Sequence, residues 1–290
     1  MDWIERMNAA VAYLEERLTE EIDVAEVAKI AYCSPYHFQR IFACMTSTTV
    51  AEYLRRRRMS LAVADLREPG ARVIDVATKY GYNSPTAFNR AFQSVHGVAP
   101  SLVRFDGVAV KSYPPISFTV TITGREALEY RIEESAPFRV VGVSISAEMD
   151  EDSGQNILQL WQVAEDNGTI ARLRAMNDGQ PAGLLSVMVP EPDGGFQTWR
   201  YILAVASSET NIDGLEEYTI EAYTWAVFGC NDGSVEARGN LWERIFNEWL
   251  PTSGYEYADG PDMEVYQEPP ALERGRFEVR IPVRKAETRR

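Results

Sequence analysis

Histidine is nearly absent from this 290-residue chain: the two residues, His37 and His96, both fall in the first hundred. A Ser-His-Asp triad confined to the remaining two thirds is therefore excluded. Cysteine is scarce as well. Cys33, Cys44 and Cys230 are odd in number and scattered, which excludes a disulfide framework and paired-Cys zinc spacing and suits reduced thiols. Cys33 and Cys44 flank one short segment, where small-residue packing is favoured over a redox pair. No run approaches the roughly 18 apolar residues of a membrane span. The opening Met1-Asp2-Trp3-Ile4-Glu5-Arg6 places charges where a signal peptide has its apolar stretch. Neither a Walker Gly-Lys-Ser/Thr loop nor a Rossmann glycine fingerprint occurs. A cytoplasmic protein is expected, with no cofactor, metal or membrane partner.

Positive charge is also in short supply, at net −14, but unevenly. Residues 27–111 hold twelve Lys and Arg against five Asp and Glu, whereas residues 112–290 hold fifteen against thirty. A basic block beside an acidic one indicates two jobs, and the length suits two domains.

The basic block contains a repeat. The run from Lys29 to Phe42 aligns with that from Lys79 to Phe92, with seven of fourteen positions identical, including all of S-P-x-x-F-x-R-x-F. Ser before Pro opens a helix in each copy: Ser accepts from an orphan N–H and Pro has none to lose. Phe38 and Phe42, like Phe88 and Phe92, are four apart and share a buried face. The other face then carries Tyr36, Gln39 and Arg40 in one copy and Thr86, Asn89 and Arg90 in the other. These side-chain types read base edges, Arg at guanine and Gln or Asn at adenine. His37 is expected at the surface of the same helix. Preceding helices are marked by Val24, Val27 and Ala28, and by Ile74 and Ala77. Each pair of helices reads as a helix-turn-helix, whose second helix enters the major groove. A helix over 51–68, with Leu54, Leu61 and Leu66 at helical spacing, joins the copies. Its length of about 27 Å is compatible with two recognition helices in successive grooves. Part of the run Arg55–Arg58 on it is expected to contact phosphate.

These residues, with the tail Gly97-Val98-Ala99-Pro100, resemble the DNA-binding domain of AraC/XylS-type regulators over about residues 4–105. The resemblance implies a seven-helix, two-motif domain, assigned to 1–107. The family's Gly after the first recognition helix is replaced by Thr46-Ser47, where a left-handed cap would cost Ser more than Gly.

Residues 108–124 read as a linker with an added strand, since Ile116, Phe118, Val120 and Ile122 alternate with Ser and Thr. Further strands are expected over 128–134, 138–147, 183–189, 199–206, 218–228, 263–267 and 277–283. Helices are expected over 155–167 and 235–250, the latter with Trp242, Ile245, Phe246 and Trp249 at helical spacing. A strand pair, a helix and a strand pair, stated twice, give an α+β domain with internal pseudo-symmetry. Phe138–Gly142, Tyr223–Phe228 and the runs Glu248–Tyr255 and Asp259–Tyr266 look like a GyrI-like effector-binding domain, assigned to 125–290. The resemblance implies two strand-helix-strand-strand modules, a ligand cleft between them, and an acidic residue in it at the place of Glu264. Alternation puts Tyr266 beside Glu264 and Met263 and Val265 on the opposite face. Trp225, Tyr223, Trp199 and Tyr201 are candidate walls, able to hold a cation by its attraction to ring faces.

The expected function is a DNA-binding transcription regulator whose C-terminal domain senses a small amphipathic or cationic ligand. Its partners would be double-stranded DNA, the effector and, for a regulator of this kind, RNA polymerase. No catalytic residue is assigned. The alternative is a hydrolase using Glu264 as a general base. A second rival, a module that inhibits a partner such as DNA gyrase, is disfavoured by the fused DNA-binding domain.

Overall fold

The structure, a computed structural model, describes residues 3–119, 127–148, 153–191, 198–267 and 275–286. Two compact units divide the chain: residues 1–35 with 46–119, and residues 36–45 with 120–290.

The first unit is helical. Its elements are α1 (Trp3–Glu16), α2 (Val24–Ala31), α4 (Val50–Arg67), α5 (Val73–Lys79), α6 (Pro85–His96) and a 3-10 turn over Pro100–Arg104; α3 (Pro35–Thr46) supplies residues 36–45 to the second unit. Sequence chemistry sets the ends. The Ser84 hydroxyl accepts from the Ala87 N–H at 3.1 Å, and Pro85 follows at the first helical position. Phe88 and Phe92 are fully buried, with Met59, Leu66, Val76 and Val103 in the same core. His96 joins α6 to α4 through Nε2, which donates to the Met59 carbonyl at 3.0 Å. Ile74 and Leu61 face solvent instead, because Val76, Ala77, Ala62 and Val63 take the inward positions of α5 and α4.

α6 ends on Gly97 at φ 77°, and α3 is followed by Ser47 at φ 53°. Ser47 thus holds the left-handed conformation that a Cβ makes costly by about 1–2 kcal/mol, partly offset by glycine's greater entropy loss. Ser47→Gly should therefore stabilise the protein by about 0.5–1 kcal/mol, read as a raised urea midpoint at unchanged m-value. A lowered midpoint would show that the Ser47 side chain contributes more than its strain costs.

The strand expected from residue 116 does not form at 116–119, and its remainder lies outside the described residues. The period-two pattern there serves an extended segment bonded by side chains. Asn8 Nδ2 donates to the Phe118 carbonyl at 2.9 Å, and its Oδ1 accepts from the Phe118 N–H at 2.7 Å. The Ile116 N–H reaches the Tyr53 hydroxyl, and the Tyr113 N–H reaches Ser60 Oγ. An asparagine amide replaces the neighbouring strand.

The second unit is built on one sheet. Its strands are β1 (Tyr130–Ser135), β2 (Phe138–Glu148), β3 (Leu184–Pro190), β4 (Thr198–Ala206), β5 (Glu216–Ile220), β6 (Tyr223–Cys230), β7 (Tyr255–Tyr257), β8 (Asp262–Tyr266) and β9 (Phe277–Lys285). The order is β1-β6-β9-β8-β3-β4-β2-β5, with β7 added to β9. The two halves mirror each other across the β8–β3 seam. Each is a strand-helix-strand-strand module: β2, then α7 (Ser153–Asp166) and α8 (Thr169–Ala175), then β3 and β4; and β6, then α9 (Val235–Arg244), then β8 and β9. β1 precedes β2 but pairs with β6, and β5 precedes β6 but pairs with β2. The helix expected over 235–250 changes hydrogen bonding at Ile245, where a π turn runs to Trp249. The single strand expected over 218–228 divides into β5 and β6.

Alternation gives the sheet two chemically different faces. One is aliphatic, with Val140, Leu185, Val187, Ile202, Val227, Met263 and Val265 around Trp225. The other carries Glu264, with Ser186 and Val279 directly beside it on β3 and β9.

Candidate recognition helices and ligand cleft

On α6, Thr86 and Arg90 are exposed and Asn89 is half-buried. The matching face of α3 was expected to be outward and is not. Tyr36 and Gln39 are each 5% exposed, and the Arg40 side chain is 19% exposed. The reason lies more than two hundred residues downstream. Arg40 makes a close ion pair with Asp262, and its guanidinium lies 4.5 Å from the Trp242 ring centre. His37, expected at the surface, is buried, and its Nε2 donates to the Gly260 carbonyl at 2.9 Å. Its ring lies 4.5 Å from that of Tyr257. Burial pushes the His37 pKa down to about 3, so the imidazole is neutral. Burial is the largest influence and works against the charge of Arg40, but Asp262, Tyr36, Cys44 and Glu264 together outweigh it and hold the guanidinium above its ordinary value.

Two members of the arginine run turn inward. Arg57 grips Glu15 side-on along one guanidinium edge, Nε to Oε1 at 2.8 Å and Nη2 to Oε2 at 2.6 Å, and its Nη1 donates to the Tyr113 carbonyl. Arg58 donates to the carbonyls of Leu18 and Glu20. Arg55 and Arg56 remain more exposed and both pair with Glu52.

Glu264 is 6% exposed, so its charge needs partners. Trp242 Nε1 donates to Oε1 at 2.7 Å, the Tyr266 hydroxyl donates to Oε2 at 2.6 Å, and Arg238 Nη1 stands 3.9 Å from Oε2. Arg238 and Trp242 are four apart on α9, so one helical face delivers both. From α7, Trp161 Nε1 donates to the Tyr201 hydroxyl at 2.7 Å, and its ring meets Tyr266 edge-on at 5.3 Å. Trp199 stands edge-on to Tyr201 at 6.1 Å. Asp262, two residues from Glu264, is fully buried, and burial pushes its carboxyl up to about 6 although Arg40 pulls it down.

Trp199, Tyr201 and Tyr266 therefore share the face of Glu264, and Trp225 and Tyr223 do not. The β6 register puts Trp225 opposite Pro282 and two residues from Val227, on the aliphatic face; its Nε1 donates to Ser135 Oγ at 2.9 Å. Tyr223 packs against the same aliphatic cluster. Trp161, Arg238, Trp242 and Asp262 were not foreseen as site residues. The helical spacing of Trp242 with Phe246 and Trp249 was visible, but nothing in it indicated a carboxylate partner.

The aliphatic face borders a cavity of about 970 Å³ lined by Arg131, Glu133, Trp225, Met263, Glu278 and Arg280, among others. Its charges answer one another. Arg131 reaches Glu133 and Glu278, and Arg280 reaches the same two carboxylates, all within 3.1 Å. That ring engages four of the charged side chains, and Glu134 and Arg174 line the cavity as well.

Residues 128–284, more than half of the chain, match the GyrI-like small molecule binding domain family. The chain belongs to that family. Residues 27–105 match a helix-turn-helix domain. Among curated relatives, the HTH-type transcriptional activator AarP of Providencia stuartii is 32% identical over 98 residues, which are 34% of this chain and 73% of that protein. The regulatory protein SoxS of Escherichia coli K12 is 32% identical over 91 residues, 31% of this chain and 85% of that protein. A putative bacterial transcription regulation protein from Staphylococcus aureus MU50 superposes with TM-score 0.48 at 25% identity, covering 55% of this chain and 99% of that one. This GyrI-like protein is a DNA-binding transcription regulator of AraC type that senses a small molecule. The hydrolase alternative finds no support in these relatives. Among the described residues, no helix is long and apolar enough to cross a membrane.

Proposed function

We propose that the effector is an amphipathic cation, bound at Glu264 between the aromatic rings of α7, α9 and the sheet. The observation that carries this is a nearly buried carboxylate surrounded by Trp161, Tyr201, Trp242 and Tyr266. Ring faces attract cations and offer apolar area, and the acidic surplus of residues 112–290 draws cations from a distance. Binding rather than turnover is the reading for this half. The match to a small molecule binding domain family supports this. Operator reading falls to Thr86, Asn89 and Arg90 of α6, and to Tyr36, Gln39 and Arg40 of α3 once that helix is uncovered. The relative AarP is a transcriptional activator, which supports activation, RNA polymerase as the protein partner and a cytoplasmic site of action.

Calorimetric titration with tetraphenylphosphonium tests the cleft. Glu264→Gln keeps the shape and removes the charge, and should weaken binding by about 1–3 kcal/mol, the scale of a hydrogen bond to a charged group. Equal affinity in both proteins would take the carboxylate out of the site.

A further inference from the structure

The two recognition helices share one sequence pattern and have opposite environments. Arg90 of α6 is exposed, while Arg40 of α3 is held by Asp262 and Trp242. Those are the contacts a cationic effector would seek: a ring face, a buried carboxylate, and the field of Glu264, which also acts on Arg40. Asp262 is 0% exposed and, among the described residues, neither oxygen has an aligned hydrogen bond, so the ion pair with Arg40 answers its charge. The rest of α3 is fitted to the same place. Tyr36 and His37 are buried beside Arg40, and His37 is anchored on the Gly260 carbonyl.

We infer that Arg40 is an internal ligand of the effector cleft, so that a planar, delocalised cation displaces it and frees α3 for DNA. The ligand class follows from what Arg40 presents, a flat cation able to lie on the Trp242 ring and pair with a carboxylate. The regulation follows from mutual exclusion. The docked state sequesters the Tyr36, Gln39 and Arg40 face, and the cation selects the undocked state. A ligand that binds one of two states shifts the balance by its differential affinity, and its apparent affinity is lowered by the fraction of protein already undocked. By linkage, operator DNA that captures α3 raises affinity for the cation by the same factor. This inference rests on the cation reading of the Glu264 cleft.

The test uses the full chain and benzamidine, a planar amidinium on a ring, with neutral benzamide as control. Arg40→Ala removes the internal competitor, so benzamidine should bind it roughly tenfold or more tightly than wild type, within the usual range of coupling between sites. Glu264→Gln in the Arg40→Ala background should weaken that binding, and benzamide should bind neither protein tightly. In wild type, saturating benzamidine should speed backbone amide exchange of residues 36–45 by roughly tenfold, with residues 86–96 unchanged. Equal benzamidine affinity in wild type and Arg40→Ala, with binding still dependent on Glu264, overturns the inference and leaves the cation reading standing. Binding that ignores Glu264 overturns both. Exchange of α3 that does not respond in wild type overturns the inference even where the variant fails to fold.

Discussion

Trp225→Ala should cost the sheet-containing unit about 3–5 kcal/mol, the usual range for truncating a buried tryptophan, and should leave cation affinity at Glu264 unchanged. The indole is 1% exposed and packs with Val227, Met263 and Val265 on the face opposite Glu264. Truncation removes that packing and also strips Ser135 Oγ of its indole donor. Two measurements separate core from cleft. Denaturant unfolding should show the loss as a lowered midpoint, and calorimetry on the folded variant should give wild-type affinity for tetraphenylphosphonium. Weakened binding by a stably folded variant would return Trp225 to the ligand site. Trp242→Phe is the converse. It keeps most of the ring and deletes the Nε1–H that reaches Glu264, so its main effect falls on ligand affinity.

The contrast explains what could be read from the sequence. Strand positions and the side of each strand residue follow from a period of two, and Glu264, Tyr266, Met263 and Val265 fall where alternation puts them. Trp225 and Tyr223 follow the same alternation within β6. The face shared by β6 and β8 depends on their register through β9, however, and no local pattern encodes that. Named as candidate walls of the cleft, Trp225 and Tyr223 lie with the aliphatic cluster opposite Glu264. The helical repeat shows the same limit. Caps and core phenylalanines are local and come out alike in both copies; Phe38–Phe42 and Phe88–Phe92 have ring separations of 6.0 and 5.7 Å. What covers the polar face is not local. Arg40 and Arg90 are equivalent in the repeat, and only Arg40 has an Asp262 and a Trp242 to meet. Cys44 is decided by its surroundings too: burial pushes its thiol up to about 11, toward the inert end of the range and away from a redox sensor.

Arg57→Ala should destabilise the helical unit by about 2–3 kcal/mol, somewhat below the range for breaking a fully buried pair because Glu15 keeps 18% side-chain exposure. The loss has a defined origin. Glu15 is shared between Arg57 and the Tyr53 hydroxyl, and the Arg57 guanidinium also holds the Tyr113 carbonyl. Burial alone would raise the Glu15 pKa, but the hydrogen bonds from Arg57 and Tyr53 outweigh it and hold the carboxyl below its ordinary value. A depressed carboxylate adds stability that is present above its unfolded pKa and is lost as pH falls through the folded one. The gap between wild type and Arg57→Ala should therefore be full near pH 7 and shrink below about pH 4. Arg90→Ala should behave in the opposite way. It removes an exposed side chain, so stability should stay within about 0.5 kcal/mol, while operator affinity should fall by about 1–3 kcal/mol if Arg90 grips a guanine edge. Urea unfolding and DNA titration of both variants separate a structural arginine from a reading one. A stable Arg57→Ala that loses DNA binding would reverse the assignment and make that residue a phosphate contact.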